Sequence, residues 1–129
     1  MIAGIGIDSV DIEEFRDICG NFDNAFVKRT FAASEIDQAI QRPDAASFLA
    51  GRFAVKEAVF KAVAHLLPEG AFDFRCVETL HDENGCPAIT KNNALANVLE
   101  NAHVDELLVS ITNEANLATA IVVAQAADN

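Results

Sequence analysis

Several residue types are rare in this sequence, and their scarcity narrows the classes of protein it can belong to. Among 129 residues there is no tryptophan or tyrosine, and there are only three cysteines and nine lysine or arginine residues. Cys19, Cys76 and Cys86 are odd in number and lack a paired metal-ligand spacing, which argues against a disulfide framework and a zinc site. We expect reduced thiols in a cytoplasmic protein.

Long apolar runs are also missing. No stretch approaches the length of a membrane span, and the first residues lack the basic start and apolar core of a signal peptide, so we expect no membrane partner. The net charge of −11 argues against nucleic acid as a partner. A length of 129 residues, 51% of them hydrophobic, fits one domain with a genuine core.

The few basic residues are unevenly placed. Seven of the nine lie between Arg16 and Lys61, where only six acidic residues accompany them. This interval is therefore close to neutral within an acidic protein. We expect any site for an anionic ligand to lie there.

The hydrophobic pattern predicts a compact α+β domain at 1–125 with a largely antiparallel sheet and a frayed tail at 126–129. A strand at 1–7 ends at Asp8, and Ser34 caps the third of four helices that follow. The predicted helices lie at 11–19, 21–30, 35–40, 48–63 and around Leu95 to Ala102. The predicted strands lie at 72–80, 87–90, 107–112 and 117–124, with the Asn-Gly turn at 82–85 between the first two.

The helix at 48–63 is the segment around which the rest is organised. It is apolar on several sides, which is typical of a buried helix, yet it carries Arg52, Lys56, Glu57 and Lys61. Charges on a buried helix need partners. Three cations with one carboxylate indicate a nearby anion and something for the carboxylate to hold. The alternative is a core helix with a solvated charged strip.

Two segments carry a family resemblance. GIGIDSVDI at 4–12 and RFAVKEAVFKA at 52–62 resemble, in order and at the usual separation, the two motifs of the holo-acyl-carrier-protein synthase family. This is the family of small trimeric 4′-phosphopantetheinyl transferases. The segments between and after the motifs are similar too, namely Phe26-x-x-Arg29 with Glu35, Asn84-Gly85-x-Pro87 and Ser110-Ile111-Thr112.

The resemblance implies a function and a fold. Enzymes of this family move the phosphopantetheine arm of coenzyme A onto a serine of acyl carrier protein and release adenosine 3′,5′-bisphosphate. It implies the 4′-phosphopantetheinyl transferase fold, in which a long central helix packs on the sheet. It also implies a homotrimer with active sites between subunits, and leaves both fatty-acid and polyketide carrier proteins open as acceptors.

The resemblance further implies roles for particular residues. Asp8 and Glu57 bind Mg²⁺, which suits an ion that takes one or two carboxylates together with substrate phosphates. Lys61 acts with them in catalysis, and Lys61 and Arg52 contact the phosphates of coenzyme A. Lys56 contacts a phosphate or a neighbouring subunit. The remaining expected contacts to coenzyme A are Gly85, Pro87 and Thr112.

Four positions depart from the family pattern. Residues 63–68 replace a Gly-Thr-Gly turn, Cys86 replaces a lysine, Asn113 replaces a histidine, and Glu14 replaces an arginine that meets the carrier protein. Three of these changes concern coenzyme A and one concerns the carrier. Both metal carboxylates are present. His65, His81 and His103 share no motif with a nucleophile, and we expect them at the surface or in loops.

Three functions therefore compete. The first is an active carrier-protein synthase. The second is a catalytically impaired family member that serves as a binding or assembly subunit, which the four departures favour and the presence of Asp8, Glu57 and Lys61 opposes. The third is a protein related only in fold that binds another nucleotide. No residue in the sequence supports this function.

Overall fold

The computed structural model describes residues 1–81 and 83–127, which form one three-stranded sheet, a separate two-stranded hairpin and five α-helices. The larger sheet has the order β1-β5-β4 and is antiparallel throughout. In chain order the elements are β1 (Ile2–Asp11), α1 (Ile12–Cys19), α2 (Ala25–Thr30), α3 (Ala33–Ile40), α4 (Ala45–Val63), β2 (Glu78–His81), β3 (Pro87–Thr90), α5 (Asn93–Asn101), β4 (Val104–Glu114) and β5 (Leu117–Ala126).

The predicted α+β class, the antiparallel sheet and the element order are confirmed, but several boundaries are wrong. β1 continues past Asp8 to Asp11, because β5 is long enough to pair with it as far as Leu117. Residues 74–76 form a 3₁₀ turn rather than a strand, since the Asp73 side chain accepts the Arg75 amide hydrogen at 2.9 Å. The third helix begins at Ala33.

Two smaller predictions also change. Ser34 does not cap α3; instead the Glu35 carboxylate accepts the amide hydrogen of Ala32 at 3.0 Å, and the Ser34 hydroxyl bonds Glu78. Ala126 belongs to β5, and its amide donates to the Met1 carbonyl at 2.8 Å. Asp82, from the predicted turn, and residues 128–129, from the predicted tail, lie outside the described residues.

Helix α4 is the centre of the molecule. Asp44 caps its start by accepting the Ser47 amide hydrogen at 3.1 Å, and twelve of its nineteen residues are buried. Its C-terminal half packs on α5, β4 and β5, whereas its N-terminal half meets α1 to α3 through a cluster of aromatic rings. Those rings, with centroids 5.3–6.5 Å apart, belong to Phe15, Phe26, Phe31 and Phe53.

The contact between β1 and α4 is a backbone contact. A Cβ atom at Gly4 would lie 1.8 Å from the Ala62 carbonyl oxygen, and one at Gly6 would lie 1.9 Å from that of Ala58. No other residue leaves room for so close an approach. Side chains alternate along a strand, so Asp8 points toward α4 as well.

The other face of the three-stranded sheet carries no helix from the described residues. Several large apolar side chains lie open there, and we call this surface the open sheet face. Its most exposed members are Ile5 at 61%, Ile7 at 59%, Leu108 at 46%, Leu117 at 45% and Ile121 at 37%. Ile7 and Ile121 are directly paired across β1 and β5, so the apolar surface is continuous.

Searching the described residues for a helix able to cross a bilayer gave none. This agrees with the absence of long apolar runs in the sequence.

The glycine contact makes a stability prediction. Gly6→Ala forces β1 off α4, and overpacking of this kind should lower the free energy of unfolding by about 2 kcal/mol or more. Urea unfolding at one protein concentration, followed by circular dichroism, measures this. Gly51→Ala is the matched control, because its Cβ would lie an ordinary 3.7 Å from Ile111 and helix propensity favours alanine by up to about 1 kcal/mol. Equal stability of the Gly6 variant and the parent would contradict the close contact.

Candidate active site

Asp8, Glu57 and Lys61 meet in the groove between β1 and α4, and we call them the carboxylate cluster. The Lys61 ammonium donates to Asp8 Oδ1 at 2.9 Å and to the Ile7 carbonyl at 3.0 Å. Glu57 is half-buried. Burial raises the pKa of its carboxyl group, the negative charge of Asp8 raises it further, and Lys61 partly offsets both.

The carboxylate cluster fits a magnesium ion. Glu57 feels the charge of Asp8, so a cation between the two carboxylates would relieve their repulsion. Two carboxylates are enough for Mg²⁺, which retains waters and uses substrate phosphates as further ligands. Within residues 1–81 and 83–127, no group of three or more His, Cys, Asp or Glu side chains could hold a metal on its own.

A second site lies on the other side of α4, in a pocket of about 300 Å³ that we call the Arg52 pocket. Three of the residues predicted to contact coenzyme A, Arg52, Gly85 and Pro87, are brought together here. Gly85 has φ of +80°, so the turn before Pro87 depends on glycine. The other lining residues are Ser47, Phe48, Gly51, His81, Ile111 and Asn113.

The Arg52 guanidinium is enclosed and has spare hydrogen-bonding capacity. It is only 4% exposed, it stacks on the Phe48 ring at 4.3 Å, and one terminal nitrogen lies 3.0 Å from His81 Nδ1. Its Nε is buried without a hydrogen-bond partner among the described residues. Burial lowers its pKa, but a guanidinium stays charged in proteins. A buried cation with an unused donor suits an anionic ligand.

Lys56 does not contact the Arg52 pocket, and the prediction that it binds a phosphate or a neighbouring subunit is wrong. Its side chain is completely buried. The ammonium donates to Glu35 Oε1 at 2.7 Å and to the carbonyls of Phe74 and Val77 at 2.7 and 2.5 Å. An ammonium group has three donors, and all three are used inside the chain.

Thr112 is placed away from the Arg52 pocket as well. Alternation along β4 turns Ile111 and Asn113 toward the pocket and Thr112 toward the open sheet face, opposite Thr119. Thr112 therefore does not line the Arg52 pocket of its own chain, and its contact with coenzyme A stays a prediction.

The carboxylate cluster and the Arg52 pocket are separated by α4. Arg52 and Lys61 are nine positions apart, which places them on opposite sides of a helix. Asp8 and Ile111 flank the same residue of the central strand, Ala120, and α4 covers that fully buried residue. One chain thus carries two candidate sites on opposite sides of α4.

The departures from the family pattern can be placed. The segment after α4 forms a 3₁₀ turn, Ala64–Leu66, in which the Ala64 amide donates to Phe60 and the Leu67 amide donates to Ala64. These amides are already used, so the segment does not offer a glycine-type anion cradle. Cys86 is exposed, and Asn113 lies in the pocket within 3.4 Å of the Ser47 hydroxyl.

The sequence matches a known protein family and individual relatives. The family model described as the 4′-phosphopantetheinyl transferase superfamily matches residues 4–122. The chain belongs to this superfamily. Holo-(acyl-carrier-protein) synthase of Caldicellulosiruptor saccharolyticus is 34% identical over 125 residues, covering 97% of this chain and 98% of that protein.

Solved structures agree on the fold. Holo-(acyl-carrier-protein) synthase of Neisseria meningitidis superposes with a TM-score of 0.84 at 32% identity, covering 97% of this chain and 99% of that one. The Helicobacter pylori enzyme, solved in complex with coenzyme A, gives a TM-score of 0.74 at 27% identity and covers 94% of this chain and 99% of that one.

Sequence reasoning missed two participants. His81 is exposed, as predicted, but it also accepts a hydrogen bond from Arg52 and lines the pocket. Its place opposite Pro87 across the predicted hairpin could have indicated this role. Arg42 stacks on Phe48 at 4.6 Å, so two guanidinium groups contact the same ring. Nothing in the local sequence pattern indicates that contact.

Proposed function

We propose that this chain transfers the 4′-phosphopantetheine arm of coenzyme A to a serine of apo acyl carrier protein and releases adenosine 3′,5′-bisphosphate. The observation that carries the proposal is the carboxylate cluster, in which Asp8, Glu57 and Lys61 converge from two elements. Support also comes from relatives named holo-(acyl-carrier-protein) synthase and from the coenzyme A complex of the Helicobacter pylori enzyme.

The chemistry assigns a task to each residue. Asp8 and Glu57 would hold Mg²⁺, which when bound neutralises charge on the pyrophosphate and orients it. The serine oxygen forms a bond to the phosphorus that bears the pantetheine, and the bond to the bridging oxygen breaks. A carboxylate of the cluster accepts the serine proton, while Lys61 stabilises the phosphate that leaves.

The two alternative functions have less support. A catalytically impaired subunit has no need to keep two carboxylates and a lysine together. A binder of another nucleotide has no positive feature among the described residues. A cytoplasmic location stays a prediction from the cysteine content.

We further propose that the active protein is a homotrimer whose sites form between subunits. The carboxylate cluster and the Arg52 pocket lie on opposite sides of α4, which favours a site that pairs the cluster of one copy with the pocket of a second copy. The open sheet face offers the apolar surface for that assembly. The family resemblance supplies the trimeric state.

The first test concerns the metal ligands. Asp8→Asn and Glu57→Gln should each lower transfer by about 100-fold or more, because each removes one charged ligand from the pyrophosphate site. Mass spectrometry of an apo carrier protein incubated with coenzyme A and Mg²⁺ measures the product. Asp17→Asn changes an exposed carboxylate on α1 and serves as the control. An unchanged rate in either cluster variant, with the fold intact by circular dichroism, would remove the assignment.

The second test concerns shared sites. Asp8→Asn and Arg52→Leu should each be inactive alone. After co-refolding at equal concentrations, random cyclic trimers should regain up to about a quarter of wild-type activity, since a site needs one intact half from each neighbour. No recovery in a mixture that does form trimers would show that both halves act within one chain.

The control for this experiment addresses the interface. Ile7→Lys, placed in both variants, should abolish both the recovered activity and the assembly seen by light scattering, because it puts a charge on the open sheet face. Ile40→Lys is matched in residue type and exposure, 62% against 59%, but lies at the end of α3. Trimers that survive Ile7→Lys would locate the interface elsewhere.

Arg16, Lys28 and Arg29 are the candidates to take the place of the carrier-binding arginine that Glu14 replaces. Of these, Arg16 is held by Asp44 at 2.9 Å and by Glu13 at 3.4 Å. Lys28 and Arg29, at the end of α2, are exposed and form no ion pair within the described part of the chain. We therefore propose that Lys28 and Arg29 contact the acidic carrier.

The third test reverses that charge. Lys28→Glu with Arg29→Glu should raise the KM for the carrier several-fold and leave the KM for coenzyme A unchanged, because charge complementarity steers the encounter. Added salt should reduce wild-type activity, since exposed charges are screened over about 10 Å at 0.1 M ionic strength. Arg75→Glu with Lys91→Glu changes the net charge equally and is the control. Equal effects of the two double variants would point to net charge alone.

A further inference from the structure

The buried ion pair between Lys56 and Glu35 is unexplained by the reaction. Lys56 is fully buried and Glu35 is 2% exposed, and neither touches the carboxylate cluster or lines the Arg52 pocket. Burial lowers the pKa of Lys56 and raises that of Glu35, and their mutual attraction offsets both changes only in part. Three acceptors within 2.7 Å require a fully protonated Lys56.

Burying the Lys56–Glu35 ion pair costs free energy. Removing an ion from water costs several kcal/mol even after relaxation, and apolar side chains of similar volume often give equal or greater stability. Stability of the fold alone is therefore a weak reason for a lysine here. What an ammonium supplies, and a methionine does not, is a set of donors for particular acceptors.

The acceptors of the Lys56 ammonium hold the segment that leads into the β2–β3 hairpin, residues 78–90. The carbonyls of Phe74 and Val77 bracket the 3₁₀ turn that leads directly into β2. At the other end of β2, His81 meets Arg52, which lies one helical turn before Lys56 on α4. The hairpin is thus attached to α4 at Lys56 and at Arg52.

The hairpin supplies one wall of the Arg52 pocket. His81, Gly85 and Pro87 all line it, and Pro87 pairs with His81 across the two strands. A shift at Val77 would be carried along this short two-stranded unit to the pocket wall. Glu35 completes the attachment, because it holds the Lys56 ammonium while its carboxylate accepts the Ala32 amide hydrogen at the start of α3.

We propose that Lys56 and Glu35 are positioning residues that hold the β2–β3 hairpin against α4 and keep the Arg52 pocket preformed for the phosphates of coenzyme A. The identity of that ligand rests on the proposed function. The placement of the hairpin does not, since it follows from the internal contacts of Lys56.

The experiment uses the full chain with Lys56→Met and Glu35→Gln combined, which removes the charges and keeps the side-chain volumes. The KM for coenzyme A should rise about tenfold while kcat changes less than about twofold, because the pocket is misplaced and the carboxylate cluster is untouched. Lys91→Met is the matched control, since Lys91 also donates to a backbone carbonyl, that of Asp105, away from the pocket. It should leave both constants unchanged.

Amide hydrogen exchange supplies a readout that needs no activity. In the double variant, the amides of 78–90 should exchange faster, whereas those of β1 and β5 should keep their wild-type rates. Faster exchange in all elements alike, or unchanged exchange in the hairpin, would overturn the proposal. An equal rise of the KM in Lys91→Met would also overturn it.

Two further arms keep the outcome decisive. If the double variant does not melt cooperatively, Glu35→Gln is tested alone, because it keeps an acceptor for Lys56 and removes one charge. A smaller rise of the KM, with faster amide exchange only in the hairpin, supports the proposal. Wild-type KM and exchange rates refute it. Calorimetric titration of the wild type with coenzyme A tests the ligand separately. Absence of binding there refutes the proposed function, while hydrogen exchange still decides whether the pair positions the hairpin.

Discussion

The backbone contact between β1 and α4 is the constraint on which the rest of the structure depends. Gly4 and Gly6 let the strand lie directly against the carbonyls of Ala62 and Ala58. Because the next alternate residue is Asp8, the same contact aims a carboxylate at the helix face that carries Glu57 and Lys61. The carboxylate cluster thus forms because Gly4 and Gly6 have no side chains, and its geometry is set by rigid backbone rather than by flexible loops.

The basic residues of α4 have three different fates, although they lie on one helix. Lys56 is saturated by three internal acceptors, Arg52 is enclosed against Phe48 with one donor unused, and Lys61 reaches across to Asp8. Residue type alone does not distinguish these roles. The distinguishing property is the element that packs against that side of the helix: the turn whose carbonyls accept from Lys56, the aromatic ring that stacks on Arg52, or the edge strand that carries Asp8.

Sequence reasoning recovered the class, the element order and the carboxylate cluster, because those follow from periodicity and from two local motifs. It placed Lys56 at a phosphate or a neighbouring subunit, since a helix pattern indicates that a charge is buried but not which group it contacts. The acceptors come from the 3₁₀ turn at Phe74–Cys76, which was expected to be a strand. A strand at these positions does not direct the carbonyls of Phe74 and Val77 toward Lys56. The wrong prediction for this element therefore led to the wrong prediction for Lys56.

The carboxylate cluster and the Arg52 pocket lie on opposite sides of α4, and this separation relates the proposed reaction to the open sheet face. Helix α4 is buried on nearly every side, so other elements must pack against each of its faces. Strand β1 covers one side, and the hairpin and β4 cover the other. The same burial that stabilises the domain therefore places the carboxylate cluster and Arg52 on opposite sides of α4. Ile5, Ile7 and Ile121 are left open on the far side of the sheet, and in the proposed trimer association through that face would bring the Arg52 pocket of a second chain to the carboxylate cluster.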